Sequence, residues 1–104
     1  MITPFTIRSG HTSVIYQDKF WVIGGKSGAV YKKDVYSWAE TDTAVTTVGT
    51  DAAFTGRQLH SSIVFKNKIW LYGGETAVAA WSDEIWYTTD GVVWTKSLKT
   101  LPTQ

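Results

Sequence analysis

Residues 54–75 read FTGRQLHSSIVFKNKIWLYGGE, and residues 5–26 read FTIRSGHTSVIYQDKFWVIGGK, which is the same segment at an offset of 49. Most of the differences preserve side-chain character. The following nine of the 22 aligned pairs are identical: Phe5/Phe54, Thr6/Thr55, Arg8/Arg57, His11/His60, Ser13/Ser62, Lys19/Lys68, Trp21/Trp70, Gly24/Gly73 and Gly25/Gly74. Repetition of this kind indicates one structural unit that the chain specifies twice.

The repeat continues beyond the glycine pair with one inserted residue, which makes the offset 50. At this offset Tyr31 aligns with Trp81, and Asp34-Val35-Tyr36 aligns with Glu84-Ile85-Trp86. The intervening residues differ between the two copies, so we expect variable loops over residues 26–33 and 75–83.

Each copy predicts four short strands, and no stretch has helical periodicity. Two-residue hairpin turns are predicted at Gln17-Asp18, Lys66-Asn67 and Asp90-Gly91. Strands such as residues 20–23 and 69–72 are apolar at successive positions, which predicts a sheet covered on both faces. The predicted strands are residues 11–16, 19–23, 34–38 and 45–50 in the first copy, and 61–65, 68–72, 84–88 and 93–98 in the second.

The order of these features resembles the kelch repeat. Arg-x-x-His precedes an apolar hairpin that ends in Gly-Gly, and an acidic-apolar-aromatic triplet and a late Trp follow. The second copy has Trp94 as the late Trp, whereas the first has Ala44. The resemblance implies an all-β fold with two four-stranded antiparallel propeller blades, the first over residues 5–53 and the second over residues 54–104, in a single unit spanning residues 1–104.

Two blades cannot close a propeller, so an isolated pair would leave a large apolar face open at each end. We therefore expect identical chains to associate head to tail, a homotrimer giving six blades or a homotetramer eight. The rival hypothesis is that the chain is an excised part of a larger propeller and has no activity alone.

Composition excludes several classes of function. The formal net charge is +1 and the lysines are dispersed, so we expect no nucleic-acid or membrane partner. The absence of cysteine rules out disulfides and thiolate metal sites without fixing the compartment. No signal peptide or membrane span is visible, so the sequence predicts a soluble protein of unknown localisation.

Loops at one end of the blades are the predicted ligand-binding surface, because kelch-like propellers bind ligands at the mouth of the central channel. Two arginines could grip carboxylates or phosphates, or could instead bridge backbone carbonyls. Aromatic side chains at equivalent loop positions would suit a sugar or a peptide, or could pack on their own blade. The predicted site residues are Arg8, Arg57, Tyr31, Trp81, Lys26 and Glu75.

Catalysis has little support in the sequence. His11 and His60 are the only histidines, and neither has an Asp, Glu or Cys beside it, so we expect no metal and no cofactor. We interpret the chain as a non-catalytic binding and assembly module for a peptide, a protein or a glycan. The alternative is a sugar-processing enzyme that uses the arginines, the histidines and Glu75.

Overall fold

The structure of the chain, a computed structural model, describes residues 8–49, 54–77 and 80–100. The beginning of the first predicted blade, the predicted boundary between the blades at residues 53 and 54, and the end of the second blade fall wholly or partly outside these ranges. Within them the chain forms strands and turns, and it contains no helix that could cross a membrane.

Two four-stranded antiparallel sheets and one small hairpin make up the fold. The first sheet has the order β1-β2-β3-β4, and the second has the order β10-β9-β6-β5. Strands β7 and β8 form a separate two-stranded hairpin. The strands are β1 Thr12–Tyr16, β2 Lys19–Ser27, β3 Val30–Trp38, β4 Thr46–Gly49, β5 Ser61–Phe65, β6 Lys68–Tyr72, β7 Glu75–Ala77, β8 Ala80–Trp81, β9 Glu84–Thr88 and β10 Thr95–Thr100.

The all-β class and the four-stranded sheets predicted from the sequence are confirmed. The turns Gln17-Asp18 and Lys66-Asn67 have positive φ at both residues, from 51° to 61°, which is the conformation that matches the twist of a two-residue hairpin. Asp and Asn tolerate this conformation better than most other residues. The local pattern of apolar runs and turn residues therefore fixed these two hairpins correctly.

The loops predicted after the glycine pairs were wrong, because both segments form hairpins. Strand β2 continues past Gly24 and Gly25, and a tight turn at Gly28 and Ala29 connects it to β3. The pairing shifts between Ile23 and Gly25, where positive φ at both glycines lets the strand bulge and continue. In the second copy the corresponding segment makes the separate hairpin β7–β8.

The turn predicted at Asp90-Gly91 is also wider than a two-residue turn. Tyr87 pairs with Thr95, and only Gly91 among the turn residues has positive φ. The Asp90 carboxylate accepts hydrogen bonds from the backbone N–H of Val92 and Val93 at 2.9 and 3.0 Å, respectively. This side-chain cap fixes the wide turn, and β10 begins two residues later than the sequence predicted.

The hydrophobic core lies between the two sheets. One face of the first sheet packs on one face of the second, with β1 lying against β5 and β6. The opposite faces of both sheets point away from this core. Its buried side chains are Tyr16, Trp21, Ile23, Val35, Phe54, Ile69, Leu71 and Trp94.

Polar contacts set the register of one sheet on the other. The Tyr16 hydroxyl lies 2.8 Å from the carbonyl oxygen of Asn67 and 2.9 Å from that of Thr89, and it donates to this pair. The backbone N–H of Leu59 donates to the carbonyl of Gly10 at 2.7 Å. These bonds join opposite ends of the interface, so the two sheets are held at both ends.

Replacing Tyr16 by Phe tests this register. We expect the free energy of unfolding to fall by about 1 kcal/mol, because the carbonyls of Asn67 and Thr89 lose their shared donor while the ring remains in the core. Urea denaturation is the measurement. Tyr87→Phe is the matched control, since the Tyr87 ring packs beside Trp70 on the opposite face of the second sheet. An equal loss in both variants would contradict a specific role for the Tyr16 hydroxyl.

Candidate functional site

Arg57 is fully buried, and each of its three guanidinium nitrogens bonds a neighbouring group. Nη1 donates to the carbonyl of Gly73 at 2.8 Å and to the hydroxyl of Ser82 at 3.2 Å. Nε donates to the carbonyl of Thr55 at 3.1 Å, and Nη2 lies 3.4 Å from Glu84 Oε1. The side chain therefore joins the glycine pair of the second repeat to the start of β9.

Arg8 makes the same connections in the first repeat. Its Nη1 donates to the carbonyl of Gly24 at 3.0 Å, and both terminal nitrogens bond the carboxylate of Asp34. Burial acts to raise the pKa of Asp34, but the hydrogen bonds from Arg8 and Tyr36 outweigh it and hold that pKa below its usual value. Asp34 and Glu84, which the sequence analysis aligned but did not assign to the site, are the partners of the two arginines.

The backbone of Arg57 also links the two sheets. The Arg57 N–H donates to the carbonyl of Lys32 at 2.9 Å, and the Arg57 carbonyl accepts from the N–H of Gly25 at 2.8 Å. The residue thus bonds both arms of the β2–β3 hairpin. This geometry favours the structural interpretation of the arginines, since their donors already serve the fold.

His60 is buried at the interface between the sheets. Its Nε2 lies 3.0 Å from the carbonyl of Ile23, which assigns the proton to Nε2 and makes the ring a donor. Nδ1 is buried without a hydrogen-bond partner among the described residues. Burial lowers the pKa of His60 to about 4, with a further contribution from the positive charge of Arg57, so the ring is neutral at pH 7.

His11 occupies the corresponding position in the first repeat and is exposed. The two histidines therefore lie in opposite environments despite their equivalence in sequence. In the described parts of the chain, no three His, Cys, Asp or Glu side chains come close enough to hold a metal ion.

Four of the six predicted site residues come together where the end of the β2–β3 hairpin lies beside the β7–β8 hairpin. Lys26 pairs with Tyr31 across the β2–β3 hairpin, and Glu75 pairs with Trp81 across the β7–β8 hairpin. Directly paired residues project from the same face of a hairpin. The Tyr31 hydroxyl then donates to Glu75 Oε1 at 3.2 Å, which joins the two pairs.

This cluster of Lys26, Tyr31, Glu75 and Trp81, hereafter the hairpin cluster, combines charge with aromatic surface. The Lys26 ammonium lies 4.8 Å from the centre of the Tyr31 ring, a cation–π distance. Trp81 is 65% exposed. Gln58, which sequence reasoning missed, donates from Nε2 to Glu75 Oε1 at 2.7 Å. An exposed indole therefore lies beside an ordered group of hydrogen-bonding side chains.

No protein-family model matches the chain, and no curated protein matches its sequence. The resemblance to the kelch repeat therefore stays a prediction that rests on the spacing of the motif residues.

Replacing Arg57 by Met should lower the free energy of unfolding by about 3 kcal/mol or more. The substitution leaves the buried carbonyl of Gly73 without its donor and removes the cation that the Glu84 carboxylate faces. Lys96→Met is the matched control, because Lys96 bonds the same Glu84 at 3.2 Å but is half exposed, and we expect it to cost under about 1 kcal/mol. Urea denaturation measures both values, and similar losses would contradict the role of burial.

The neutral His60 ring should make stability dependent on pH. Its pKa is about 4 in the folded chain and about 6.5 when unfolded, so the unfolded chain binds more protons between these values. Stability is therefore lost as the pH falls through this window, by roughly 2 to 3 kcal/mol at pH 4.5 relative to pH 7.

His60→Gln should flatten this dependence, because glutamine can donate to the Ile23 carbonyl without titrating. The measurement is urea denaturation at a series of pH values in dilute solution. His11→Gln is the control, because it changes the aligned histidine and leaves the buried His60 ring and its bond to the Ile23 carbonyl in place, so the loss of stability on acidification should persist. A slope that survives in His60→Gln would show that other groups cause it.

Proposed function

We propose that the two sheets are kelch-type propeller blades and that the chain is a non-catalytic binding module. Head-to-tail association of three or four identical chains would complete the ring. The ligand is a peptide, a protein or a glycan, which contacts the hairpin cluster at the end of the ring where all such clusters gather.

The hairpin cluster is the observation that carries this proposal. The exposed Trp81 indole offers a flat apolar surface to a sugar ring or a peptide side chain, while Lys26, Glu75 and Gln58 provide a cation, an anion and an amide in the same group of side chains. The Tyr31–Glu75 and Gln58–Glu75 hydrogen bonds hold these groups in place before a ligand arrives. Preorganisation of this kind reduces the entropy lost on binding.

The arginines have a supporting part in the proposal. Arg8 and Arg57 anchor the residues that follow each glycine pair, so they position the hairpins rather than contact the ligand. Arg57 in particular has no exposed surface from which to reach one.

Binding to a panel of immobilised oligosaccharides and peptides tests the function. We expect Trp81→Ala to weaken capture at least tenfold, and Tyr31→Ala combined with Trp81→Ala to abolish it, because the stacking surface is lost. The melting temperature of Trp81→Ala should remain within about 2 °C of wild type, since an exposed side chain contributes little to folding.

Val92→Ala is the matched control, because Val92 is exposed in the wide turn of the second sheet, away from the hairpin cluster. It should bind as the wild type does. Retention of full affinity by the double variant, or capture of no member of the panel by the wild type, would contradict the proposed site.

A further inference from the structure

The outer face of the second sheet is apolar and concave. Five large side chains, Ile63, Phe65, Trp70, Tyr72 and Ile85, line a concavity of about 490 Å³ together with Ser97 and Lys99. Phe65 is 58% exposed and Ile63 is 51% exposed. A contiguous apolar surface of this kind on a small chain indicates a docking face.

The repeat identifies the equivalent of this face in the first sheet. The aligned residues are Val14, Tyr16, Trp21, Ile23 and Val35, and the second sheet packs on them within the chain. The local geometry is the same in both copies: Trp21 Nε1 donates to the Tyr16 carbonyl at 2.9 Å, and Trp70 Nε1 donates to the Phe65 carbonyl at 3.0 Å. One surface is thus built twice, covered in the first copy and open in the second.

The other face of each sheet shows the opposite pattern, because it is open in the first copy and covered in the second. On the outer face of the first sheet, Ile15 is 68% exposed and Phe20 is 41% exposed. Their equivalents in the second sheet, Val64 and Ile69, belong to the core or pack against it. The aligned histidines agree with this pattern, since His11 is exposed in the first copy and His60 is buried in the second. Each sheet therefore has one face of each type, and the chain ends in two complementary open faces.

We infer that the occupant of the open face on the second sheet is the first sheet of a second copy of this chain, docked as the two sheets dock internally. The inference rests on the proposed ring and names the surfaces that close it. It continues an interface that the chain already contains, so it needs no new type of contact.

The internal hydrogen bonds predict those between copies. As His60 donates to the Ile23 carbonyl, the second copy's His11 would donate to the carbonyl of Tyr72. As Gly25 N–H donates to the Arg57 carbonyl, Gly74 N–H would donate to the carbonyl of the second copy's Arg8. The imidazole and the backbone around it would be buried together.

Charge complementarity favours the same arrangement. Internally, the wide turn of the second sheet lies against Tyr16, whose hydroxyl meets the Thr89 carbonyl. The aligned turn of a second copy carries Glu40 and Asp42, both exposed, and would arrive beside Phe65. Lys66 lies on that side, with its ammonium 5.8 Å from the centre of the Phe65 ring. Docking thus places two carboxylates near a lysine.

Light scattering on a sizing column tests the assignment with Ile15→Glu and Phe65→Glu, one on each open face. The wild type should have a mass three or four times 11.6 kDa, and each variant alone should be a monomer. An equimolar mixture should form a two-chain complex, because each variant retains the face that the other needs. Circular dichroism melts check that both variants fold. Val30→Glu, at the tip of the β2–β3 hairpin, is the control and should keep the wild-type mass.

Each contrary outcome has a distinct meaning. A wild type that is monomeric at all concentrations overturns both this inference and the proposed ring, and leaves ligand binding by the hairpin cluster to its own assay. Oligomers that survive in both variants overturn the face assignment alone. If only one variant dissociates, or if the mixture stays monomeric over the same concentration range, the docking is not head to tail.

Discussion

The buried guanidinium of Arg57 is the interaction on which the rest of the structure depends. A charged group without solvent is tolerated only when it is paired and hydrogen-bonded, and here the partners are the carbonyls of Thr55 and Gly73, the Ser82 hydroxyl and the Glu84 carboxylate. The backbone of the same residue bonds both arms of the β2–β3 hairpin. Through its side chain Arg57 connects two segments of the second repeat, and through its backbone it attaches them to the first sheet. The residues within two positions of its partners Gly25, Lys32 and Gly73 in sequence include Lys26, Tyr31 and Glu75 of the hairpin cluster.

Sequence reasoning recovered the parts of the fold that local rules decide. Apolar runs and the turns at Gln17-Asp18 and Lys66-Asn67 depend on a few neighbouring residues, and the eight main strands followed from them. The hairpins after the glycine pairs did not, because their strands are stabilised by Arg57 and by Gln58, which lie far away in sequence. The pairing of Glu75 with Trp81 could not be predicted for the same reason, although the repeat did align Tyr31 with Trp81.

The two repeats share the strand order of their four-stranded sheets but differ in their side-chain contacts. Tyr16 uses its hydroxyl to bond two carbonyls of the second sheet, whereas the aligned Phe65 has none to offer. Trp94 packs against Phe54 in the second sheet, at a ring separation of 5.0 Å, while Ala44 occupies the aligned position in the first. The interface inside the chain therefore has polar bonds that a contact on the outer face of the second sheet would lack, so the pair of sheets is the tighter unit.

The bonds between Arg57 and the β2–β3 hairpin also impose an order on folding. In the first sheet, β2 and β3 pair with each other and with β1 and β4, so none of these strand pairs needs a residue beyond Gly49. Arg57 lies 25 positions beyond Lys32, and its backbone can bond the hairpin only after both arms are in place. During synthesis from the N-terminus, the first sheet emerges with Trp21, Ile23 and Val35 open to water until β5 and β6 arrive. Until those strands are synthesised, the second sheet cannot cover the apolar face of the first.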